Sequence, residues 1–505
     1  MLKKQLLLLF VLWSIAQAHG QPISVWSRIT SGNPVALFLK GDAPLVVSTS
    51  GPALFDSNGN TIMADSAYPV RAAALDPTGN LVLVGELDSN GLSQAYVRCL
   101  DSSFHQKWLY LLPQTSNYIP HPDAVAINFS GKIFVSGPAS DSTAFPASIE
   151  FFSGLDSTGN LSWSFVFAVG FSDQRFKRMT CDASGNAVIG TDAGLGGPAD
   201  GEMHFRKYDS NGLFLQENLF DPIFARDVLE DFSFLSDGST LLTGPFNLTA
   251  QTGNSLSALV RFDSNGLFTN YTAYDGFGYD EMNRLLVDSS DQTYAIVSGT
   301  DYLVTGESRF DLFKFDPTGS VIWNQRHRDG VVSYQKAHAF ASSNDKLLIA
   351  GENRTDTTSQ YEGLIVAYDT TGALLYEIIE PVTGSVVFDN IVPADDSTFY
   401  VSGSYTATNQ QSGTMLMRYS IATTAVDPVP FSEEIMIFPT PATKRFHIKG
   451  ACTTCSVTVF DQFGKQLLKD ENLEDGVSIE QLSAGCYVVA IGGEGKHYRL
   501  RLLVE

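Results

Sequence analysis

The chain repeats itself about every 53 residues over most of its length. In each repeat a hydrophobic run ends in a glycine, and the gaps between successive glycines are 52, 53, 54, 55, 52 and 52 residues. These glycines are Gly85, Gly137, Gly190, Gly244, Gly299, Gly351 and Gly403. A second phrase alternates with the first, with its aspartate at Asp56, Asp101, Asp156, Asp209, Asp263, Asp316 and Asp369; six copies read D-x-x-G, and the copy at Asp101 has Phe104 in place of the glycine. A fixed period of this length in strand-type sequence indicates stacked supersecondary units and predicts a β-propeller.

One repeat is interpreted as four short antiparallel strands, called a to d from the inside of the ring outwards. Glycine supplies the positive φ that the a–b and c–d turns need, and an aspartate caps each turn. The Asp-Ser-Asn-Gly turns are also reminiscent in composition of calcium loops. They lack the spaced D-x-[DN]-x-[DN]-G pattern and the glutamate at position twelve, so we interpret them as capped turns.

The tryptophans fix how the ring is expected to close. Trp108, Trp163 and Trp323 each begin a strand d, seven residues after the turn aspartate. Trp26 lies in an isolated strand-like segment near the N-terminus, whereas the last repeat has no strand d of its own. We therefore expect residues 24–30 to complete the last blade of a propeller that spans 21–420. The count predicts eight blades, with seven as the alternative.

The N-terminal targeting sequence indicates an exported protein. Residues 1–20 carry two lysines, an apolar run and small residues, as a signal peptide does, and no other segment predicts a membrane span. The formal net charge is −23, and no nucleic acid is expected as a partner because phosphate contacts need Lys or Arg. Cys99 and Cys181 are expected to be unpaired, whereas the pairing of Cys452, Cys455 and Cys486 is left open between a disulfide and buried thiols.

Two regions of the propeller are candidates for binding. The b–c and d–a connections are long, polar and different in every repeat, and in a propeller they emerge on the same face. Strand a also carries a polar residue five positions before its turn in six of seven repeats: Arg71, Asp123, Lys177, Glu230, Asn283 and Asp389, with Ala337 as the exception. We expect these residues to circle the mouth of the central channel. They form either a hydrated pore with paired charges or a site for a small polar ligand or a cation.

The sequence contains no catalytic motif that stands out. H-E-x-x-H and G-x-S-x-G are absent. Two tryptophan-containing turns, at Asp156 and Asp316, look like the docking motif of quinoprotein dehydrogenases, but only two copies fit and the adjacent cysteine pair of many members is missing. The turns also do not match the S-x-D-x-G-x-x-W box of sialidases, because their Asp–Gly spacing is one residue longer. We expect a non-enzymatic protein without cofactor or metal; the alternative is a hydrolase or quinoprotein-like dehydrogenase at the channel mouth, and a structural spacer is a third possibility.

A different domain follows the repeats. Residues 421–432 are interpreted as a linker, and 433–505 contain short strands separated by turns, which predict a small β-sandwich. This segment resembles the C-terminal sorting domain of the type IX secretion system of Bacteroidota. The matching residues are Pro439, Pro441, Asp461, Gly464, Lys465, Leu482, Gly485 and Tyr487. Thr440 departs from the asparagine usual in that family.

The resemblance implies a route and a location. The type IX machinery would recognise residues 433–505 after transport through the periplasm, and the propeller would reach the cell surface or the extracellular space. The alternative for this segment is an adhesive β-sandwich that stays attached as a binding module. The propeller itself is expected to bind an extracellular glycan, protein or polymer through its variable loop face.

Overall fold

The structure, a computed structural model, describes most of the repeat region and parts of the C-terminal segment. The described residues are 22–89, 92–115, 118–141, 147–171, 175–193, 202–220, 228–246, 256–274, 279–300, 308–327, 334–354, 360–380, 383–421, 436–439, 441–449, 456–460, 466–470, 476–493 and 496–504. The chain divides into two compact units, Met1–Ala422 and Thr423–Glu505.

Within the described ranges all regular secondary structure is strand, which confirms the all-β prediction. The strands are β1 (Pro22–Thr30), β2 (Pro34–Lys40), β3 (Ala43–Ser48), β4 (Gly51–Phe55), β5 (Thr61–Ala64), β6 (Ala72–Leu75), β7 (Leu81–Ser89), β8 (Leu92–Leu100), β9 (Gln106–Leu111), β10 (Tyr118–Pro120), β11 (Ala124–Ile127), β12 (Ile133–Asp141), β13 (Ala147–Leu155), β14 (Leu161–Phe171), β15 (Arg175–Cys181), β16 (Ala187–Ala193), β17 (Glu202–Tyr208), β18 (Phe214–Phe220), β19 (Asp231–Phe234), β20 (Thr240–Phe246), β21 (Leu256–Phe262), β22 (Phe268–Tyr274), β23 (Tyr279–Val287), β24 (Thr293–Thr300), β25 (Ser308–Phe315), β26 (Val321–Arg326), β27 (Tyr334–Ser343), β28 (Lys346–Arg354), β29 (Glu362–Asp369), β30 (Leu374–Glu380), β31 (Ser385–Pro393), β32 (Thr398–Thr406), β33 (Ser412–Ile421), β34 (Met436–Phe438), β35 (Arg445–Lys449), β36 (Ser456–Phe460), β37 (Gln466–Asp470), β38 (Val477–Ser478), β39 (Gly485–Gly493) and β40 (Lys496–Val504).

The first unit is a propeller of four-stranded antiparallel modules, in which strands a to d pair in chain order. The described residues form eight such modules: β2–β5, β6–β9, β10–β14 (where β10 and β11 share the inner edge), β15–β18, β19–β22, β23–β26, β27–β30, and β31–β33 with β1. The inner strands contact one another in the order β2, β6, β11, β15, β19, β23, β27 and β31, and β31 contacts β2. The modules therefore form a closed ring, the architecture that the repeats predict.

The N-terminal strand provides the outermost strand of the last module. β1 pairs antiparallel with β33 from Pro22 opposite Ile421 to Thr30 opposite Thr414, with one irregularity between Ser24 and Trp26. Because these segments come from opposite ends of the repeat region, their pairing closes the ring without leaving β33 as a free sheet edge.

The aspartates cap the turns, as the sequence predicts. In the c–d turn at Asp156, the carboxylate oxygen Oδ1 accepts the backbone N–H groups of Thr158 and Asn160 at 2.9 and 3.0 Å. Gly159 in this turn has a φ of +86°, which an L side chain rarely adopts. Asn128 caps its a–b turn in the same way, so the cap depends on the oxygen acceptor and not on the charge.

Tryptophans of strand d join one module to the next. The indole N–H of Trp26 donates to the carbonyl oxygen of Ser57 at 2.8 Å, and its ring covers Gly59 in the c–d turn of module 1. Trp108 and Trp163 make the equivalent hydrogen bonds to the c–d turns of modules 3 and 4, at 3.2 Å each. We call these contacts the tryptophan latches; the Trp26 latch joins the first and last modules.

The apolar core lies within and between the modules. At the closure, Leu37, Val46 and Phe55 of module 1 pack with Tyr400 and Leu416 of module 8, and all five are buried. Similar clusters contain residues of neighbouring modules around the ring, as in the one shared by β7, β8, β12 and β13. Stability of this unit therefore depends on each module having both neighbours.

The second unit is a small β structure of its own. Strands pair in the orders β34–β35–β38 and β37–β36–β39–β40. A single buried cluster joins the two sheets, with Phe446, Val459, Ile479, Val489 and Leu502 fully buried at its centre. Two packed sheets with one core form a β-sandwich, as the sequence predicts.

Candidate functional site: the polar ring of the channel

The polar positions of strand a lie at a β-bulge that recurs around the ring. In β15, β23 and β31, Lys177, Asn283 and Asp389 are the extra residues at which the ladder register shifts. At the same place in the other modules, the backbone N–H groups of Arg71, Asp123 and Glu230 donate to carbonyl oxygens of strand b: those of Val84, Ser136 and Thr243. A bulge is an irregularity in the pleat that can redirect a side chain, so its recurrence gives these positions a shared place on the inner strands.

In the seventh repeat, the bulge position lies one residue later than the sequence alignment predicts. There the bulge residue is His338, because the register shifts between Ala337 and Ala339. Ala339 pairs with Ala350, whereas the equivalent Arg178 pairs with Gly190, so the seventh hairpin is one residue shorter. Counting five residues back from the turn therefore placed Ala337 in the ring, although the residue at that position in the structure is His338. The signal was the short turn sequence SSNDK, which lacks the D-x-x-G pattern of the a–b turns at Asp76 and Asp182 and leaves only two residues between Ser343 and Lys346.

Part of this ring surrounds a cavity of about 400 Å³ on modules 5 to 8, with one residue from module 1 and one from module 4. We call it the channel pocket. Its polar lining consists of Arg178, Glu230, Asp231, Arg284, His338, Asp389 and Asn390, and its apolar lining includes Leu37, Leu285, Phe340 and Ile391. The pocket thus offers hydrogen-bonding groups of both charges beside an apolar surface.

The acidic groups of the pocket are held by neighbouring strands. Asp231 is buried, pairs with the guanidinium of Arg178, and accepts the backbone N–H groups of Phe232 and Leu285 at 2.9 and 3.0 Å. The Asp389 carboxylate accepts both the N–H and the hydroxyl of Ser404, each at 3.0 Å. These bonds fix the carboxylate positions before any ligand arrives.

The basic groups of the pocket are held differently. Arg284 donates to the carbonyl oxygens of His338 at 2.7 Å and of Asn283 at 2.6 Å, and within the described residues it has no acidic partner. His338 lies 3.6 Å from Glu352, beyond hydrogen-bond distance, and its buried Nε2 atom has no hydrogen-bond partner there. Both side chains can therefore make further polar contacts.

The structure separates the other predicted ring residues from the pocket. Arg71 and Asp123 come together, with a distance of 2.9 Å between Nη1 and Oδ1. Asn283 is buried and donates to Ser298 and to the carbonyl oxygen of Ala337, both at 3.1 Å, so its amide has a structural role. The Lys177 side chain lies outside the part of the structure that is described. Of the six residues predicted, Glu230 and Asp389 share the channel pocket.

Arg71 also takes part in a second polar cluster, on modules 2 and 3. Its Nε atom lies 2.8 Å from Glu86 Oε1, and the same oxygen lies 3.1 Å from Nδ1 of His121. Nε2 of His121 lies 2.9 Å from the hydroxyl of Ser140. Burial alone would raise the pKa of Glu86, but hydrogen bonds from Ser93 and His121 and the charge of Arg71 outweigh it and lower that pKa. Sequence reasoning missed Glu86 and Ser140, which lie outside the aligned position.

Most of the predicted loop face lies outside the part of the chain that the structure describes. Residues 142–146, 194–201, 247–255 and 355–359 of the b–c connections lie outside the described residues. Among the side chains that are described, no group of three or more His, Cys, Asp or Glu could hold a metal ion. No helix in the described ranges is long and apolar enough to cross a membrane. Cys99 and Cys181 are both free thiols.

The C-terminal unit contains part of its predicted motif. The hydroxyl of Tyr487 donates to the carbonyl oxygen of Ser483 at 2.7 Å, and Leu482 donates its N–H to Ile479 at 2.9 Å. These bonds hold the L-x-x-G-x-Y element at the start of β39. Asp461, Gly464 and Lys465 lie outside the described residues, as do Cys452 and Cys455.

Comparison with known families decides what this unit is. Residues 436–505 match the family described as "Secretion system C-terminal sorting domain". The second unit is a secretion system sorting domain. The match confirms the resemblance of this unit to type IX sorting domains and indicates export to the cell surface or the extracellular space. No curated protein matches the chain.

Several solved structures resemble the chain at low identity. BamB from Moraxella catarrhalis is 14% identical, with 80% of this chain and 98% of that chain covered and a TM-score of 0.44. PorZ, a surface component of the type-IX secretion system of Porphyromonas gingivalis, is 10% identical, with 92% and 80% covered and a TM-score of 0.31. The polysaccharide lyase Uly1 is 10% identical, with 80% and 99% covered and a TM-score of 0.44. These scores are below 0.5 and carry no argument about function.

Proposed function

We propose that the propeller is an extracellular binding protein that takes a polar group of a glycan, protein or polymer in the channel pocket and on the adjoining loop face. The observation that carries this proposal is the set of charged side chains that neighbouring strands hold in place around the cavity. Its volume of about 400 Å³ lies within the range of small-molecule sites. Because the carboxylates and guanidinium groups are already oriented, a ligand needs to order few side chains on binding.

The mixture of charges favours a neutral ligand that is rich in hydroxyl groups. An anion would meet the carboxylates of Glu230, Asp231 and Asp389, and a cation would meet Arg178 and Arg284. A hydroxyl group can donate to the first set and accept from the second. Phe340 adds a partly buried aromatic side chain to the lining, which suits the apolar face of a sugar ring. Among the three ligand classes, these features support a glycan.

We propose a binding role without chemistry for this pocket. Asp231 is engaged by Arg178 and by two backbone N–H groups, and Asp389 is engaged by Ser404. A general acid or base needs a carboxyl group that can reach the substrate and exchange a proton with it. The existing bonds of these two side chains support their use as fixed acceptors instead.

The route of export completes the proposal. We propose that residues 1–20 direct the chain into the periplasm of a member of the Bacteroidota, and that the type IX machinery then recognises the sorting domain. Removal of that domain would leave the propeller either released or attached at the surface.

A glycan-array and metal-binding screen of the purified full chain tests the binding role. We expect binding to a glycan that weakens at least tenfold in Asp389→Asn and in Glu230→Gln, because each removes a charged acceptor from the pocket. Asp123→Asn is the matched control, since that carboxylate lies outside the pocket, and it should bind as the wild type does. A negative screen, or a glycan that binds all three variants equally, would contradict the proposal.

A further inference from the structure

The cluster on modules 2 and 3 has the geometry of an activated serine. Ser140 lies near the end of β12, His121 directly follows β10 in the same module, and Glu86 lies on β7 of the neighbouring module. The Ser140 hydroxyl oxygen is 2.9 Å from His121 Nε2, and His121 Nδ1 is 3.1 Å from Glu86 Oε1. A nucleophile within hydrogen-bond distance of a base, with that base oriented by a third group, is the arrangement of serine hydrolases on several unrelated folds.

The partners determine where the protons lie. The ionised Glu86 carboxylate can only accept, so the hydrogen of a neutral His121 lies on Nδ1. Nε2 then carries a lone pair and accepts the hydroxyl hydrogen of Ser140. This is the tautomer that lets an imidazole remove a proton from a serine.

Neighbouring residues hold the carboxylate in place and leave the serine accessible. Arg71 and Ser93 bond to the two oxygens of Glu86, at 2.8 and 2.5 Å, and the Glu86 side chain is only 16% exposed. The His121 side chain is 26% exposed, and Ser140 is exposed at the end of β12 that leads into the b–c connection. The orienting carboxylate is therefore fixed, whereas the serine is an exposed residue where β12 leads into its loop.

We propose that Ser140, His121 and Glu86 form a hydrolytic site for carboxylic esters. Ser140 Oγ attacks the ester carbonyl carbon while its proton passes to His121 Nε2. The tetrahedral intermediate collapses, and the alcohol leaves with that proton, so that an acyl-serine remains. Water then gives a proton to His121 and attacks the acyl carbon, after which Ser140 regains its hydrogen and the carboxylic acid departs. Ser140 and His121 are the catalytic residues, and Glu86 is a positioning residue.

Esters fit this site better than amides. Arg71 shares Oε1 of Glu86 with His121, which weakens the support that the carboxylate gives to a protonated imidazole. An alkoxide is a better leaving group than an amide nitrogen and needs less help from a general acid. The site is separate from the channel pocket and goes beyond the proposed binding role. It also differs from the sequence-based expectation that the protein is not an enzyme.

The test labels the purified full chain with a fluorophosphonate, which forms an oxygen–phosphorus bond with an activated serine and releases fluoride. We expect peptide mass spectrometry to find the label on Ser140, and the label to disappear in Ser140→Ala. In His121→Gln the labelling rate should fall about 100-fold or more, since a general base contributes roughly 10²–10⁴-fold. Circular dichroism checks that each variant is folded.

Two further variants separate a catalytic from a structural role. Glu86→Gln should lower kcat for p-nitrophenyl acetate at least tenfold with little change in KM, because it disturbs the orientation of His121 and removes no group that contacts the substrate. Ser103→Ala is the matched control: this exposed serine lies two residues from His105, which is 3.6 Å from Asp101, and its loss should change nothing. Absence of labelling in the folded wild type, or equal labelling of wild type and Ser140→Ala, would overturn the inference.

Discussion

The Trp26 latch should contribute more to the stability of the propeller than its place near the end of the chain suggests. Its indole N–H bonds to Ser57 at 2.8 Å, and its ring lies 6.5 Å from that of Phe55 and 6.0 Å from that of Tyr400, measured between centroids. The contacts with Ser57 and Phe55 join the first module to the last, whose other three strands come from the opposite end of the repeat region. Trp26→Ala removes them together.

The cost can be estimated from the area that the side chain buries. A tryptophan buries about 150–250 Å² when fully enclosed, and Trp26 is about half-buried, so at ~25 cal/mol per Å² its burial contributes ~2–3 kcal/mol. The lost hydrogen bond adds about 1 kcal/mol. We therefore expect Trp26→Ala to lower the free energy of unfolding by ~3–4 kcal/mol.

Urea unfolding followed by far-ultraviolet circular dichroism measures this effect without depending on tryptophan fluorescence. With a denaturant slope of about 3 kcal/mol per M, the midpoint should fall by about 1 M. Trp26→Phe keeps an aromatic ring but loses the N–H donor, so it should cause about a third of that shift, ~1 kcal/mol. An unchanged midpoint in Trp26→Ala, or equal shifts in the two variants, would refute this account of the closure.

Four further predictions concern the turns, the closing strand and the sorting domain. Gly59→Ala should destabilise by about 1–3 kcal/mol more than Gly79→Ala in urea unfolding: both glycines have positive φ, but a Cβ at Gly59 would lie 2.7 Å from the tryptophan that covers it, whereas nothing lies within 4 Å at Gly79. Hydrogen bonds, first that from Thr158, lower the pKa of Asp156 from 3.8 to about 2, so its contribution to stability is present above pH 3.8 and is lost as the pH falls towards 2; an NMR titration with a normal pKa would contradict this. Deleting residues 22–30 should lower the urea midpoint more than any single substitution, because β33 loses its partner; an unchanged midpoint would refute it. Deleting 433–505 should leave the thermal midpoint of the propeller unchanged but abolish its appearance outside the cell, and normal export in cell fractionation would exclude the sorting role.

The fold was accessible from the sequence because its determinants are local and repeated. The capping side chain of a turn bonds to backbone groups within four residues of it, as at Asp156, and seven aligned repeats make the pattern visible. Even the distant partner of β1 could be inferred, because Trp26 belongs to a strand type that the last repeat lacks.

The site was less accessible because it depends on contacts between modules. One missing residue in the seventh hairpin moved the bulge from Ala337 to His338, and simple counting could not detect it. The bond between Arg71 and Asp123, 52 residues apart, and the approach of Glu86 to His121 depend on the rotation of one module against the next. A sequence periodicity places such residues on a strand but does not specify which side chains meet.

Hydrogen–deuterium exchange of the secreted protein, with and without the glycan that the array identifies, tests the binding proposal most directly. The account predicts that bound glycan slows exchange in Tyr279–Val287, Tyr334–Ser343 and Ser385–Pro393, the inner strands that line the channel pocket. Slower exchange confined to the outer strands of the modules, with these three segments unchanged, would contradict it.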